Sequence, residues 1–199
     1  MRMKKTITFL FALMICATLH SQAFLTIKVT QYGNESSFFI NNTCYRALFS
    51  VNSETHKPKI VFSGNASLVY NSIYSDATLD FAVFTCPKAS LTYLFVHNYA
   101  DMSRGCDIFL LKNNTYSFIG HLNVAAYTRN DNNKMDYNSI LPYISMVNTT
   151  QKVYLSFEVP LVVINPGEGE ERVLEGKTLH YTIENNNLIQ HIADQENND

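Results

Sequence analysis

The residues of this chain that could carry chemistry are few, and their spacing decides little. His97, Asp101 and Ser103 lie close in sequence and supply a base, an acid and a hydroxyl. A serine becomes a nucleophile only when a base reaches it and a third group orients that base, and nothing in this spacing does so. The cluster therefore reads as a polar loop after a strand. No Gly-x-Ser-x-Gly elbow is present to raise a serine on a sharp turn. A small secreted hydrolase remains the alternative, with a site assembled from His97, Asp101, Asp107 and His121.

Metal and phosphate chemistry lack a pattern as well. Cys86 and Cys106 are widely spaced and have no Cys-x-x-Cys or His-x-x-x-His partner. Residues 130–136 offer oxygen ligands in a calcium-like run. Met135 takes a ligand position counted from Asp131, however, no turn glycine is present, and Pro142 stands where the closing acid belongs. Seven glycines leave little room for a phosphate cradle. Acids are sparse before Pro166 and tryptophan is absent, which disfavours glycoside hydrolysis. The sequence thus assigns no catalytic residue, no metal and no cofactor, and the expectation is a protein that binds rather than catalyses.

Charge gives a clearer signal. From Glu168 onward eight acids face two bases, Arg172 and Lys177. Glu168, Glu170 and Glu171 crowd one loop, which would suit the cleft of a basic protein partner and speed association with it.

The elements that would position these groups are mainly strands, because β-branched and aromatic residues recur with period two between Asn, Gly, Pro, Ser and Asp. Val153, Leu155, Phe157 and Val159 share one face, as do Tyr45, Ala47, Phe49 and Val51. Hairpins are expected where residues 108–111 and 115–122 flank Asn113 and Asn114, where 178–183 and 188–192 flank residues 185–187, and where 59–62 and 68–70 flank 63–65. Residues 89–102 could place Leu91, Leu94 and Phe95 on a helical face, but Thr92, Tyr93 and Val96 favour a strand. Loops are expected at 129–138 and 165–176. The fold class is therefore mainly β, an antiparallel sandwich or curved sheet built from hairpins, with little helix.

Residues 1–23 read as a signal peptide. Arg2, Lys4 and Lys5 precede an apolar run from Ile7 to Leu19, and Ser21 and Ala23 fit a peptidase site with cleavage between Ala23 and Phe24. The expected organisation is a single β-rich domain over 24–193 and a polar tail over 194–199. Removing the leader removes Cys16 and leaves Cys44, Cys86 and Cys106. Cys86 and Cys106 are the expected disulfide, closing a loop worth roughly 3 kcal/mol in the chain-entropy model. Cys44 is expected as a buried free thiol, with a Cys44–Cys86 bridge as the rival.

The whole chain has a net charge of -2. Without Arg2, Lys4 and Lys5, 12 bases against 17 acids give -5. Nothing basic is available to hold a nucleic acid backbone or an anionic membrane, and no later stretch reaches membrane-spanning length. Asn-x-Ser/Thr triplets occur at Asn34, Asn41, Asn65, Asn113 and Asn148, but a chain this rich in Asn, Ser and Thr yields roughly three by chance. The expected function is an exported, periplasmic or secreted binding protein, such as an inhibitor or immunity protein against a toxin or envelope hydrolase. A surface adhesive or virulence factor is a further alternative. A fimbrial subunit is disfavoured because the C-terminus lacks an alternating apolar donor strand.

Overall fold

A computed structural model describes residues 21–129, 134–149 and 151–193. Among the described residues nineteen strands follow one another. They are β1 (Gln22–Ala23), β2 (Leu25–Thr26), β3 (Thr30–Tyr32), β4 (Glu35–Ile40), β5 (Thr43–Val51), β6 (Pro58–Ser63) and β7 (Leu68–Asn71). Next come β8 (Thr78–Cys86), β9 (Leu91–Tyr99), β10 (Ser103–Lys112), β11 (Thr115–Leu122), β12 (Val124–Arg129) and β13 (Met135–Asn138). The last are β14 (Ile144–Asn148), β15 (Val153–Phe157), β16 (Leu161–Ile164), β17 (Arg172–Glu175), β18 (Leu179–Glu184) and β19 (Asn187–Ile192). Helical structure among the described residues is limited to 3-10 turns at Pro87–Ala89, Leu141–Tyr143 and Gly176–Thr178.

All pairings are antiparallel and form four sheets. The central sheet runs β11-β10-β9-β8-β2, and the outer sheet runs β3-β4-β5-β6-β7. The other two run β1-β14-β15-β18-β19 and β13-β12-β16-β17. The central sheet is apolar on both faces. Tyr93, Phe95, Cys106, Ile108 and Leu110 enter one core with Leu155, Tyr181, Val124 and Val162 of the β15-β18 and β12-β16 sheets. Leu94, Val96, Phe109 and Leu111 enter a second core with Phe38, Ile60 and Phe62 of the outer sheet. The mainly β architecture expected from the sequence is present, built as layers on either side of this sheet.

Double coverage explains why residues 89–102 are ambiguous in sequence. A strand buried on both faces loses the polar alternation of a half-buried one, so Thr92 to Asn98 are all buried and β9 has no solvent face to mark its period. The outer sheet keeps its alternation, with Tyr45 and Ala47 inward and Cys44 and Arg46 exposed.

Asparagine supplies the turns. Asn41-Asn42, Asn113-Asn114 and Asn185-Asn186 all have positive φ, as two-residue hairpin loops require. The second and third are turns expected from the sequence, and the β6–β7 hairpin is present too. Two expected loops are partly strand. Residues 129–138 contain the end of β12 and all of β13, which pair through Tyr127 and Tyr137, and Asn130–Asn133 lie outside the described residues. Within 165–176, β17 pairs with β16 because Val173 and Leu174 restore a short strand after the turn.

The expected Cys86–Cys106 disulfide does not form, and Cys44, Cys86 and Cys106 are all free thiols. Cys86 pairs with Leu91 and Cys106 with His97 on the same strand, β9. Six residues at about 3.3 Å each separate those positions, roughly 20 Å, whereas a bridge needs Cα atoms within about 7 Å. Cys44 is exposed rather than buried, because it falls on the outward register of β5 opposite Phe39. The rival Cys44–Cys86 bridge is likewise absent: Cys86 Sγ is directed to Gln22 Oε1 at 3.3 Å.

Residues 1–20 and the tail from Asp194 lie outside the described residues. Gln22 and Ala23 pair with Asn148 and Val147, so cleavage after Ala23 would remove β1, while Phe24 keeps its bond to the Met146 carbonyl.

Two outcomes follow from this packing. Phe95→Ala, at a fully buried position between the layers, lowers unfolding free energy by about 3–5 kcal/mol, whereas Phe39→Ala, at 61% exposure, changes it by less than about 0.5 kcal/mol, both read by urea denaturation. Alkylation of the denatured, unreduced protein adds one group to each of Cys44, Cys86 and Cys106, counted by mass spectrometry.

Candidate functional site

The rim of the central sheet opens into a cleft of about 320 Å³ whose lining includes Tyr70, Asn98, Arg104, Asp107, His121 and Glu168. Asp107 of β10 lies opposite His121 of β11 in register, on the face that meets the outer sheet. Its Oδ1 takes a hydrogen bond from His121 Nδ1 at 2.8 Å, and its Oδ2 takes one from the Tyr70 hydroxyl at 2.7 Å. His121 Nε2 lies 2.9 Å from the backbone carbonyl of Arg104. Both partners of the ring accept, so both nitrogens must donate and the imidazole is held as its cation. Its pKa is accordingly raised, first by the hydrogen bond to Asp107, against the opposing effect of burial. Burial and the Asp107 carboxylate push the Tyr70 hydroxyl pKa up, which keeps it a donor.

Two glycines make this geometry possible. Gly105 has φ +85, and a Cβ there would sit 2.1 Å from the Leu122 carbonyl oxygen. The register of β10 against β9 shifts at this point, turning the Arg104 carbonyl to His121. Gly167 has φ +75 and approaches Arg104 Nη1 so closely that a Cβ would lie 2.2 Å from it. The turn after β16 therefore lies against Arg104, whose guanidinium donates to the Pro166 and Gly167 carbonyls at 3.4 Å and to Asp101 Oδ1 at 3.3 Å. Arg104 also sits over the Tyr74 ring, 5.8 Å from its centroid, and its buried Nε has no hydrogen-bond partner. No protein family, curated protein or solved structure matches this chain. The site must therefore be read from its own chemistry.

Of the four residues of the hydrolase alternative, His97, Asp101, Asp107 and His121, the fold joins Asp107 to His121 and parts them from His97. His97 shares the β9 face of Phe95, while Asp107 and His121 lie on the opposite face with Tyr70. Asp101 pairs with Arg104. His97 Nε2 and Ser103 Oγ do share a hydrogen bond of 2.8 Å, and burial pushes the His97 pKa down to about 4, leaving a neutral base beside a hydroxyl. Both residues are closed off from solvent, Ser103 completely.

The acidic loop divides by role. Glu171 accepts from the Tyr137 hydroxyl and from the Gly167 N–H, which fixes the turn. Glu168 lines the cleft, and its carboxylate acts on His121 through space. Glu170 is exposed beside it. Arg104, Tyr70 and Tyr74 were not singled out from the sequence. Arg104 carried one faint signal, a base next to a glycine within a run of strand residues.

The raised pKa of His121 sets a direction for stability against pH. The contribution of the His121–Asp107 pair is complete below the unfolded-state value of about 6.5 and is lost as pH rises through the folded-state value. His97 acts oppositely, since its lowered pKa costs stability as pH falls from about 6.5 toward 4. The difference in unfolding free energy between the native protein and His121→Gln isolates the first effect, and denaturation at pH 5.5 and 8.5 should show a larger difference at the lower pH.

Proposed function

We propose that this chain is an exported binding protein that accepts a basic side chain of a protein partner in the cleft beside Glu168. The class we infer is an inhibitor or immunity protein directed at a toxin or envelope hydrolase in the periplasm. Export rests on the basic and then apolar opening of the sequence, with cleavage between Ala23 and Phe24.

One observation carries the binding reading. Arg104 is paired with Asp101, and His121 with Asp107, so among the lining charges Glu168 is the one whose carboxylate makes no hydrogen bond or salt bridge, and it acts on His121 only through space. Ile73, 67% exposed, and Tyr74 stand in the same lining. An apolar wall beside a carboxylate suits lysine or arginine, whose stems pack on apolar surface while the charged head finds an acid. The floor is already hydrogen-bonded, so little ordering is required on association.

The hydrolase reading has one observation in its favour, the His97–Ser103 hydrogen bond. It would need the covering residues to open before any substrate reached Ser103.

One experiment separates these readings. A partner is captured on the mature protein from an envelope extract, and its association rate is compared for native protein and Glu168→Lys/Glu170→Lys. Glu171 is left intact because its reversal would release the turn. The rate should fall on the order of tenfold at low salt and the difference should shrink with added salt. An unchanged rate overturns the binding site, and labelling of Ser103 by a fluorophosphonate would establish the hydrolase in its place.

A further inference from the structure

A second recess lies at the β8 margin of the central sheet, where the pairing of that strand runs out. β2 covers only Phe84 and Thr85 of β8, and the Ile27 N–H reaches the Val83 carbonyl. The chain then crosses to the outer sheet as β3, so the first half of β8 has no strand beside it on this edge. Asp80 compensates locally: its Oδ1 accepts from the Phe81 N–H at 2.7 Å and caps a donor that the edge would otherwise leave open.

The space left between β8 and the outer sheet is a groove of about 550 Å³. Val29, Phe49, Leu79 and Phe81 form its walls, and the Phe49 and Phe81 rings stand 6.1 Å apart between centroids, inclined by 31°. Two polar groups also line it. Ser36 lies at depth, only 3% exposed, on the inward register of β4 that it shares with Phe38 and Ile40. Its hydroxyl has no hydrogen-bond partner among the described residues, a costly condition for a buried polar group. Asp80 lies at the mouth, exposed, and is the one charged residue of this lining among the described residues. Its Oδ1 is engaged by Phe81, and the carboxylate enters no salt bridge among the described residues. Apolar walls with a few placed polar groups, in a recess of this volume, are the ordinary make-up of a small-molecule site.

The geometry points to a binding site for a small amphiphilic amine that carries an ammonium group at one end of an aromatic body and a hydroxyl group at the other. The ammonium pairs with Asp80, whose charge favours a cation and repels an anion. The aromatic body lies against Phe49 and Phe81 and displaces water from their apolar surface. The hydroxyl reaches Ser36, and since each hydroxyl can donate or accept, the buried serine gains the partner it lacks. Phenolic arylalkylamines are the simplest molecules of this class. The groove shares no lining residue with the cleft beside Glu168, so this site stands or falls independently of the partner-binding reading.

The test is isothermal titration of the protein with tyramine, with phenethylamine, which lacks the hydroxyl, and with 3-(4-hydroxyphenyl)propionate, which reverses the charge. Tyramine should bind one equivalent, phenethylamine should bind about three- to tenfold more weakly, and the propionate should not bind measurably. Ser36→Ala should make the two amines equal. Asp80→Asn keeps the oxygen that caps Phe81 and should weaken both amines about three- to fivefold at low salt, a difference that added salt removes. Circular dichroism confirms the fold of each variant. For a variant that fails to fold, nuclear Overhauser contacts from tyramine to the rings of Phe49 and Phe81 in the native protein give the location directly. The site is overturned by equal binding of tyramine and the propionate, by native affinity in folded Asp80→Asn, by a tyramine preference that survives Ser36→Ala, or by no contact with those two rings.

Discussion

Coverage of the central sheet on both faces is the constraint on which the rest of the molecule depends. Phe95 and Val96, adjacent in sequence, belong to two different cores and are both fully buried. Each core therefore needs its own partner layer, and the chain supplies the outer sheet before β8 and, apart from the two-residue β1, the other two sheets after β11. Polar residues within such a sheet must find partners locally, because water reaches neither face. They do: Thr85 bonds with Thr92, Asn98 accepts from Ser72, and His97 bonds with Ser103. The His97–Ser103 pair meets this requirement, each side chain supplying the other's hydrogen-bond partner inside the core.

The cleft arises where the double coverage ends. At the β10–β11 rim the inward register changes from Phe109 to Asp107, and an acid there would be costly without donors on both oxygens. Tyr70 comes from the outer sheet and His121 from the neighbouring strand, so one carboxylate joins two layers. The turn carrying Glu168 is held against the same place by Arg104 and by the Glu171 carboxylate. The acidic residues that stand out in sequence thus do different work, one fixing the turn and one facing the cleft.

Much of the strand content was legible because alternation and turn chemistry agree. Val153, Leu155 and Phe157 are inward as their spacing indicates, and the Asn113-Asn114 and Asn185-Asn186 turns fall where Asn tolerance of positive φ places them. Legibility failed where a residue's setting depends on register between distant strands. Cys86 and Cys106 have a plausible loop length, yet positions Leu91 and His97 of the strand between them hold them apart. His121 and Asp107 were named together with His97 and Asp101, but which pair meets depends on a one-residue alternation across β9 and β10. Tyr70 reaches Asp107 across 37 positions of sequence, beyond any local pattern.

The order of the layers also bears on how the chain comes to be folded. β8 to β11 form an unbroken meander of local pairings, which close at small entropic cost and can form early. Such a meander, once formed, offers two apolar faces at once, and its later cover includes β18, more than fifty residues downstream. Until that strand arrives the intermediate is sticky on one side even if the outer sheet has already docked on the other. Loss of the last hairpin would therefore convert a folding problem into an aggregation problem, although none of its residues lines the cleft.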